Sequence, residues 1–108
     1  PELEPDAAQM QALVAAAMAR ICAHIEALPR MPACDVAGGA ELARALREGL
    51  PRGGTSLEHV LGVLFDRAVP VSFNTAGPGY LAYVPGGGLF LAALADLIAD
   101  ATNRYVGV

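Results

Sequence analysis

The sequence predicts a mainly α fold, three to four helices with an irregular apolar loop among them. Three observations predict it. Apolar residues recur at three- and four-residue spacing in separate stretches. Pro and Gly mark where those stretches stop. Between residues 70 and 88 the periodicity vanishes, and Pro and Gly punctuate an uncharged run that can form only extended pieces and turns.

The first helix is expected over residues 6–28, where Met10, Leu13, Val14, Ala17, Ile21, Ile25 and Leu28 lie on one face. Asp6, after Pro5, is its N-cap, and Pro29 with Pro32 prevents continuation because each lacks an N–H and crowds the preceding turn. A Gly38-Gly39 break precedes a short second helix over 41–49, with Leu42, Ala45, Leu46 and Leu50 on one side and Gly49-Leu50-Pro51 as its close. Thr55-Ser56-Leu57-Glu58 reads as a capping box, the Thr55 hydroxyl and the Glu58 carboxylate each serving an N–H that a helix start leaves unpaired. Val60, Leu61, Leu64, Phe65 and Ala68 continue that third helix. A fourth begins near Leu89, with Phe90, Ala93, Leu94, Leu97, Ile98 and Ala101 as its apolar face and Asp96, Asp100 and Arg104 as a charge ladder.

Composition sets limits on what these helices can do. Of 108 residues 55% are hydrophobic and 17% charged. A lone domain of this size hides roughly two-thirds of its unfolded surface, so part of that apolar complement is expected to face a partner. The net charge is −4, and all seven cationic residues are Arg, scattered singly at 20, 30, 44, 47, 52, 67 and 104. That pattern argues against nucleic-acid binding. With no Lys in the chain, neither a Schiff base to pyridoxal, nor a Walker-type phosphate lysine, nor a lysine general base can form from these residues.

Residues 68–95 carry no charge and are long enough to span a bilayer, but Pro70, Pro78, Pro85 and five glycines would leave backbone groups unpaired in lipid. The stretch is therefore expected to be buried in protein, with no membrane partner. Cys22 and Cys34 show no CxxC or Cys/His ligand spacing; two buried free thiols are expected ahead of the alternative, a disulfide between them. No signal-peptide pattern opens the chain, so a cytoplasmic location is expected. The stop at Val108, straight after Tyr105-Val106-Gly107, predicts a longer polypeptide.

Several residues could carry chemistry, and most have a plainer role. Gly86-Gly87-Gly88 ahead of a helix could cradle a phosphate, but without the GxxxxGK[ST] lysine it reads first as a tight turn. His24 and His59 lack a ligand or base partner at helical spacing and read as surface or packing residues. Asp96 and Asp100 could act as an acid and base pair, but Arg104 one turn on favours a solvated ladder. Thr55 and Ser56 are taken as caps, and no GxSxG elbow exists. Tyr80 and Tyr83, aromatic hydroxyls in an apolar loop, have the best claim on function, balanced against the role of Tyr as a core or interface anchor. No catalytic residue and no metal ligand set emerges from these residues.

Residues 74–108 resemble the end of the amino-terminal segment of group II pyridoxal-phosphate-dependent decarboxylases, the aromatic-L-amino-acid decarboxylase family. Pro78-Gly79-Tyr80-Leu81-Ala82-Tyr83-Val84-Pro85 carries the likeness, with Leu94-Ala95-Asp96-Leu97 and Thr102-Asn103-Arg104 in register. Leu50-Pro51 and the helix over 56–66 extend it to about residue 40.

The resemblance implies the amino-terminal segment of an aspartate-aminotransferase-type fold (fold type I). In that division, residues 1–70 are a helical dimerisation segment, 71–88 an apolar substrate-lip loop, and 89–108 a helix leading into a pyridoxal-binding domain. It implies a carboxy-lyase acting on an amino acid, a homodimer, and pyridoxal 5'-phosphate held by a lysine, a histidine and an aspartate further along the polypeptide. Tyr83, Val84 and Pro85 would line the substrate pocket and Tyr105 would come near it. The smallness of Val84 and Gly86 hints at room for a bulky side chain. Two departures leave the reaction open: Gly77 stands where many members carry His, and Leu91 where many carry Pro. An aldehyde synthase of the same fold is one alternative, and a stand-alone helical dimerisation module is another.

Overall fold

The computed structural model describes residues 4–83 and 88–104. Its elements are helices α1 (Ala7–Ala27), α2 (Gly39–Ala45), α3 (Leu57–Gly62) and α4 (Phe90–Thr102), with no strand among the described residues. The mainly α expectation holds.

Helix α1 starts where the cap chemistry places it. The Asp6 carboxylate accepts from the Gln9 N–H at 2.8 Å, and the Gln9 side chain accepts from the Asp6 N–H at 2.8 Å. Two otherwise unpaired donors are satisfied reciprocally. At the other end the chain tightens into a 3-10 turn, Leu28–Arg30, around Pro29.

Helix α2 starts and ends earlier than expected. Gly38, with φ of 81°, reverses the chain in a left-handed conformation that favours glycine, so the helix opens at Gly39. It closes at Leu46 because nothing packs against the next turn; Leu50 is 97% exposed. A short helix without a covered face has little to sustain it.

Helix α3 is capped by Ser56, not by Thr55. The Ser56 hydroxyl accepts from the His59 N–H at 3.2 Å, one residue later than the expected box. Glu58 then sits in the first turn, where its charge suits the helix dipole, and the third helical position is His59. Beyond Gly62 the helix widens into π-helical turns, Val63–Ala68, and ends in a 3-10 turn, Val69–Val71. Pro70 has no N–H to give and its ring crowds the carbonyl four residues back, which ends the ladder. The Ser72 hydroxyl donates to the Ala68 carbonyl at 2.6 Å and occupies one of the freed acceptors.

Helix α3 is held to α1 by a polar and aromatic knot. The Arg20 guanidinium pairs with Asp66 at 2.5 Å and lies 5.6 Å from the centre of the Phe65 ring. The His24 ring meets the same Phe65 at 6.0 Å. Helix α4 is held differently. Arg104 makes two bonds to the Glu4 carboxylate, at 2.5 and 2.6 Å, tying the end of α4 to the start of α1, so the two helices run antiparallel. The expected Asp96, Asp100 and Arg104 ladder is corrected here, since Arg104 is taken by a carboxylate 100 residues away.

Coverage is thin throughout. Among the described residues no hydrophobic side chain is fully buried, and the buried polar residue is Asn74, 8% exposed. The chain exposes 8965 Å², against about 5,700 Å² for a compact monomer of 11.1 kDa. Its radius of gyration is 16.6 Å, where about 13 Å suits a compact chain of 100 residues. Among the described residues the helices present apolar faces that no other element covers, and the loops add exposed residues such as Leu50 and Leu81. Within this chain the uncharged stretch is not the buried segment its sequence suggests, for Phe73 is 63% exposed, Leu81 88% and Leu89 75%. Cys22 and Cys34 are free as expected but exposed rather than buried.

The helical run Ala7–Arg30, with a mean hydropathy of 1.4, has the length and composition to cross a membrane. Its Arg20, however, is engaged by Asp66 and Phe65 of the α3 limb, as in a helix packed against protein.

Candidate functional site

The loop between the 3-10 turn at Val71 and helix α4 is organised around Asn74. Its N–H donates to the Ala33 carbonyl at 2.9 Å, beside the isolated antiparallel bridge between Cys34 and Phe73. Its own carbonyl accepts from the Gly77 N–H at 3.1 Å, and the Gly77 carbonyl accepts from the Tyr80 N–H at 3.1 Å. Two successive turns thus fold 74–80 against the segment around Ala33 that follows α1. Asparagine in a Pro- and Gly-rich run is a turn signal, and Asn74 is the residue whose turn role helical periodicity does not reveal.

Gly77 is required by this arrangement. A Cβ at position 77 would stand 2.5 Å from the Asn74 side-chain nitrogen. Any side chain at this position demands a different Asn74 rotamer. Among the described residues the Asn74 Nδ2 has no hydrogen-bond partner, and a buried donor is costly to leave unmade. Asn74 lines a cleft of about 150 Å³ with His24, Ser72 and Thr75.

Past Tyr80, which is half-buried, the chain turns outward. Tyr83 has φ of 63°, the left-handed region, and is 91% exposed. A non-glycine residue held there stores about 1–2 kcal/mol of backbone strain, and such strain concentrates at functional segments. Of the four residues expected to line a substrate pocket, Tyr83 alone lies among the described residues. Val84, Pro85 and Tyr105 fall outside them, as do Gly86 and Gly87 of the candidate phosphate cradle.

The remaining candidates take structural places. His24 meets the Phe65 ring at a tilt of 58°, and His59 donates its backbone N–H to the Ser56 cap. Asp96 and Asp100 lie on exposed turns of α4. Among the described residues no group of three His, Cys, Asp or Glu side chains is placed to hold a metal ion. Hydrogen bonding from Arg104, reinforced by its charge, holds the Glu4 carboxyl below its usual value, and Glu4 raises Arg104 in turn. Both groups are fully exposed and far from the loop in sequence.

For pyridoxal 5'-phosphate the residues of this chain do not fit as a holding set, because they include no lysine to carry the aldimine. What the arrangement offers is an exposed aromatic lip, Leu81 to Tyr83, on a turn anchored by Asn74 and Gly77. Compared with protein-family models, curated proteins and solved structures, the chain matches none.

Proposed function

We propose that this chain is the amino-terminal part of a cytoplasmic pyridoxal-phosphate-dependent amino-acid decarboxylase of fold type I, serving homodimerisation and one wall of the substrate pocket. The observation that carries the reading is the anchored turn over 74–83, which presents Tyr83 in a left-handed conformation at 91% exposure, within a stretch of sequence free of charge. An apolar lip costs an exposed loop solubility unless something sits against it. An amino-acid side chain and a neighbouring subunit are two such occupants.

The pyridoxal group, held by residues outside these 108, supplies the electron sink for loss of CO2. The part played here is positional. The Tyr83 ring packs on the substrate side chain and excludes water from it, with Val84, Pro85 and Tyr105 completing that wall, and its hydroxyl offers one hydrogen bond.

The test uses the full-length protein. It should absorb as a pyridoxal aldimine and release CO2 from an amino acid, and Tyr83→Ala should raise KM about tenfold with kcat little changed, as loss of uniform binding does. A colourless protein that releases no CO2 defeats the reading. Aldehyde rather than amine as product would identify an aldehyde synthase of the same fold. A second reading, a stand-alone helical dimerisation module, is favoured by the exposed apolar face of α4, which needs no pocket to explain it. It predicts self-association without any pyridoxal absorbance.

A further inference from the structure

We infer that the Asn74 carboxamide is a steric spacer beneath the Gly77 turn, and that Asn74 is thereby a positioning residue that sets where Tyr83 stands. The inference rests on the substrate-wall half of the proposed function and is independent of the homodimer.

Asn74 and Gly77 are the buried residues among those described, and they are buried against each other. In a molecule so thinly covered, that contact stands apart. A Cβ added at Gly77 would lie 2.5 Å from Asn74 Nδ2, 2.9 Å from its Cγ and 3.3 Å from its Oδ1. The whole carboxamide therefore fills the place that a side chain at 77 would take. Among the described glycines the left-handed one is Gly38, so Gly77 has a φ that other residues adopt. What position 77 requires is room.

Hydrogen bonding does not account for the amide. Its Nδ2 is sealed from solvent and, among the described residues, has no partner. An apolar group of the same shape would avoid that cost, and such costs persist where placement matters more than stability. The Asn74 backbone carries the bonds instead, its N–H donating to the Ala33 carbonyl and its carbonyl accepting from the Gly77 N–H. The side chain acts by volume, propping Gly77 at a fixed distance from a backbone already tied to Ala33.

From Gly77 the placement passes along a short path. The Gly77 carbonyl accepts the Tyr80 N–H at 3.1 Å, and a Cβ at Gly79 would already touch the Ala33 Cβ at 3.4 Å. The turn is set against the Ala33 segment on one side and the spacer on the other, so a shift at 77 carries Tyr80 with it. Tyr80 is half-buried, and three residues on Tyr83 stands exposed with φ of 63°. A residue held in that conformation depends on the framework behind it.

The experiment places a fluorinated tyrosine at position 83 of the full-length protein, where its fluorine resonance reports the surroundings of that ring. Alongside, CO2 release is measured from each of the twenty standard L-amino acids. Asn74→Ala removes the spacer and Gly77→Ala displaces it; each should move the resonance and raise KM about fivefold, with kcat within about twofold. In the double variant the new methyl takes room that the carboxamide leaves, so resonance and KM should return toward the starting protein, whereas independent effects would multiply to about 25-fold. Asn74→Leu, similar in shape but without a donor, should leave both unchanged and hold or raise the melting temperature. A resonance unmoved by either alanine variant, multiplied effects in the double, or Asn74→Leu behaving as Asn74→Ala would each overturn the spacer. If Asn74→Ala fails to fold, Gly77→Ala and Asn74→Leu still decide. The expected resonance pattern in a protein that releases no CO2 would sink the decarboxylase reading and leave the spacer standing; an active decarboxylase whose resonance ignores position 74 would do the reverse.

Discussion

The two sides of α1 are built on different principles. Toward α3 the molecule closes on itself: Arg20 reaches Asp66 and lies over Phe65, His24 takes the edge of the same ring, and Ser72 and Asn74 secure the chain beyond. Toward α4 there is one ion pair at the far end, Glu4 with Arg104, and a groove lined by Val14, Ala17, Met18 and Ile21. The α3 side uses mixed polar and aromatic contacts that hold without further cover. The α4 side is almost wholly aliphatic and stays exposed, which is how a surface looks when its completion lies in another molecule or segment.

Substitutions can break or sharpen that contrast, in descending order of effect. Phe65→Ala should cost about 2–3 kcal/mol in denaturant unfolding, less than for a fully buried ring because Phe65 is only partly covered. Leu97→Ala should cost under about 1 kcal/mol wherever α4 stands uncovered, and more in the associated state. Equal costs for the two at concentrations where the protein is dissociated would abolish the distinction between the two sides. Asp6→Ala should cost about 1 kcal/mol through the loss of the Gln9 N–H bond, read as a lower melting temperature. Ser56→Ala should cost a similar amount while Thr55→Ala changes little; the reverse ranking would return the cap to Thr55.

The smallest effect is the pH response of the Glu4 pair. The folded Glu4 carboxyl is held below its unfolded value, so its contribution is present above the ordinary glutamate range and is lost as pH falls through the lowered folded value. Glu4→Gln should remove that response and leave neutral-pH stability nearly unchanged, since the pair is exposed and screened by salt. Stability titrations of the two proteins, superimposed, check it.

These contrasts also mark how far the sequence can be read. Asp6, the Pro29 stop and the opening of α4 were legible because caps and breakers act locally. Gln9, three residues after Asp6, was equally legible as the return half of a capping box. Thr55 and Ser56 are both good caps, and only the backbone decides between them. The partner of Arg104 lies 100 residues away, where helical spacing carries no information. The left-handed Tyr83 leaves no trace in composition, since nothing but a non-glycine residue stands there. As for the candidate site, the apolar loop was legible as a surface needing cover; its Asn74 pivot emerged only with the backbone.

Hydrogen exchange along α4 in the full-length protein tests the central claim, that this side of the molecule is completed by a partner. Here every residue of Phe90–Thr102 is exposed, and an uncovered helix of this length, lacking caps, should exchange quickly. The account predicts that at concentrations favouring association these amides are protected as strongly as those of α1, and that dilution, or charge placed on the exposed face of α4 by Leu91→Asp/Ile98→Asp, releases them while α1 and α3 stay slow. Fast exchange across α4 at every concentration, with α1 and α3 protected, would contradict it.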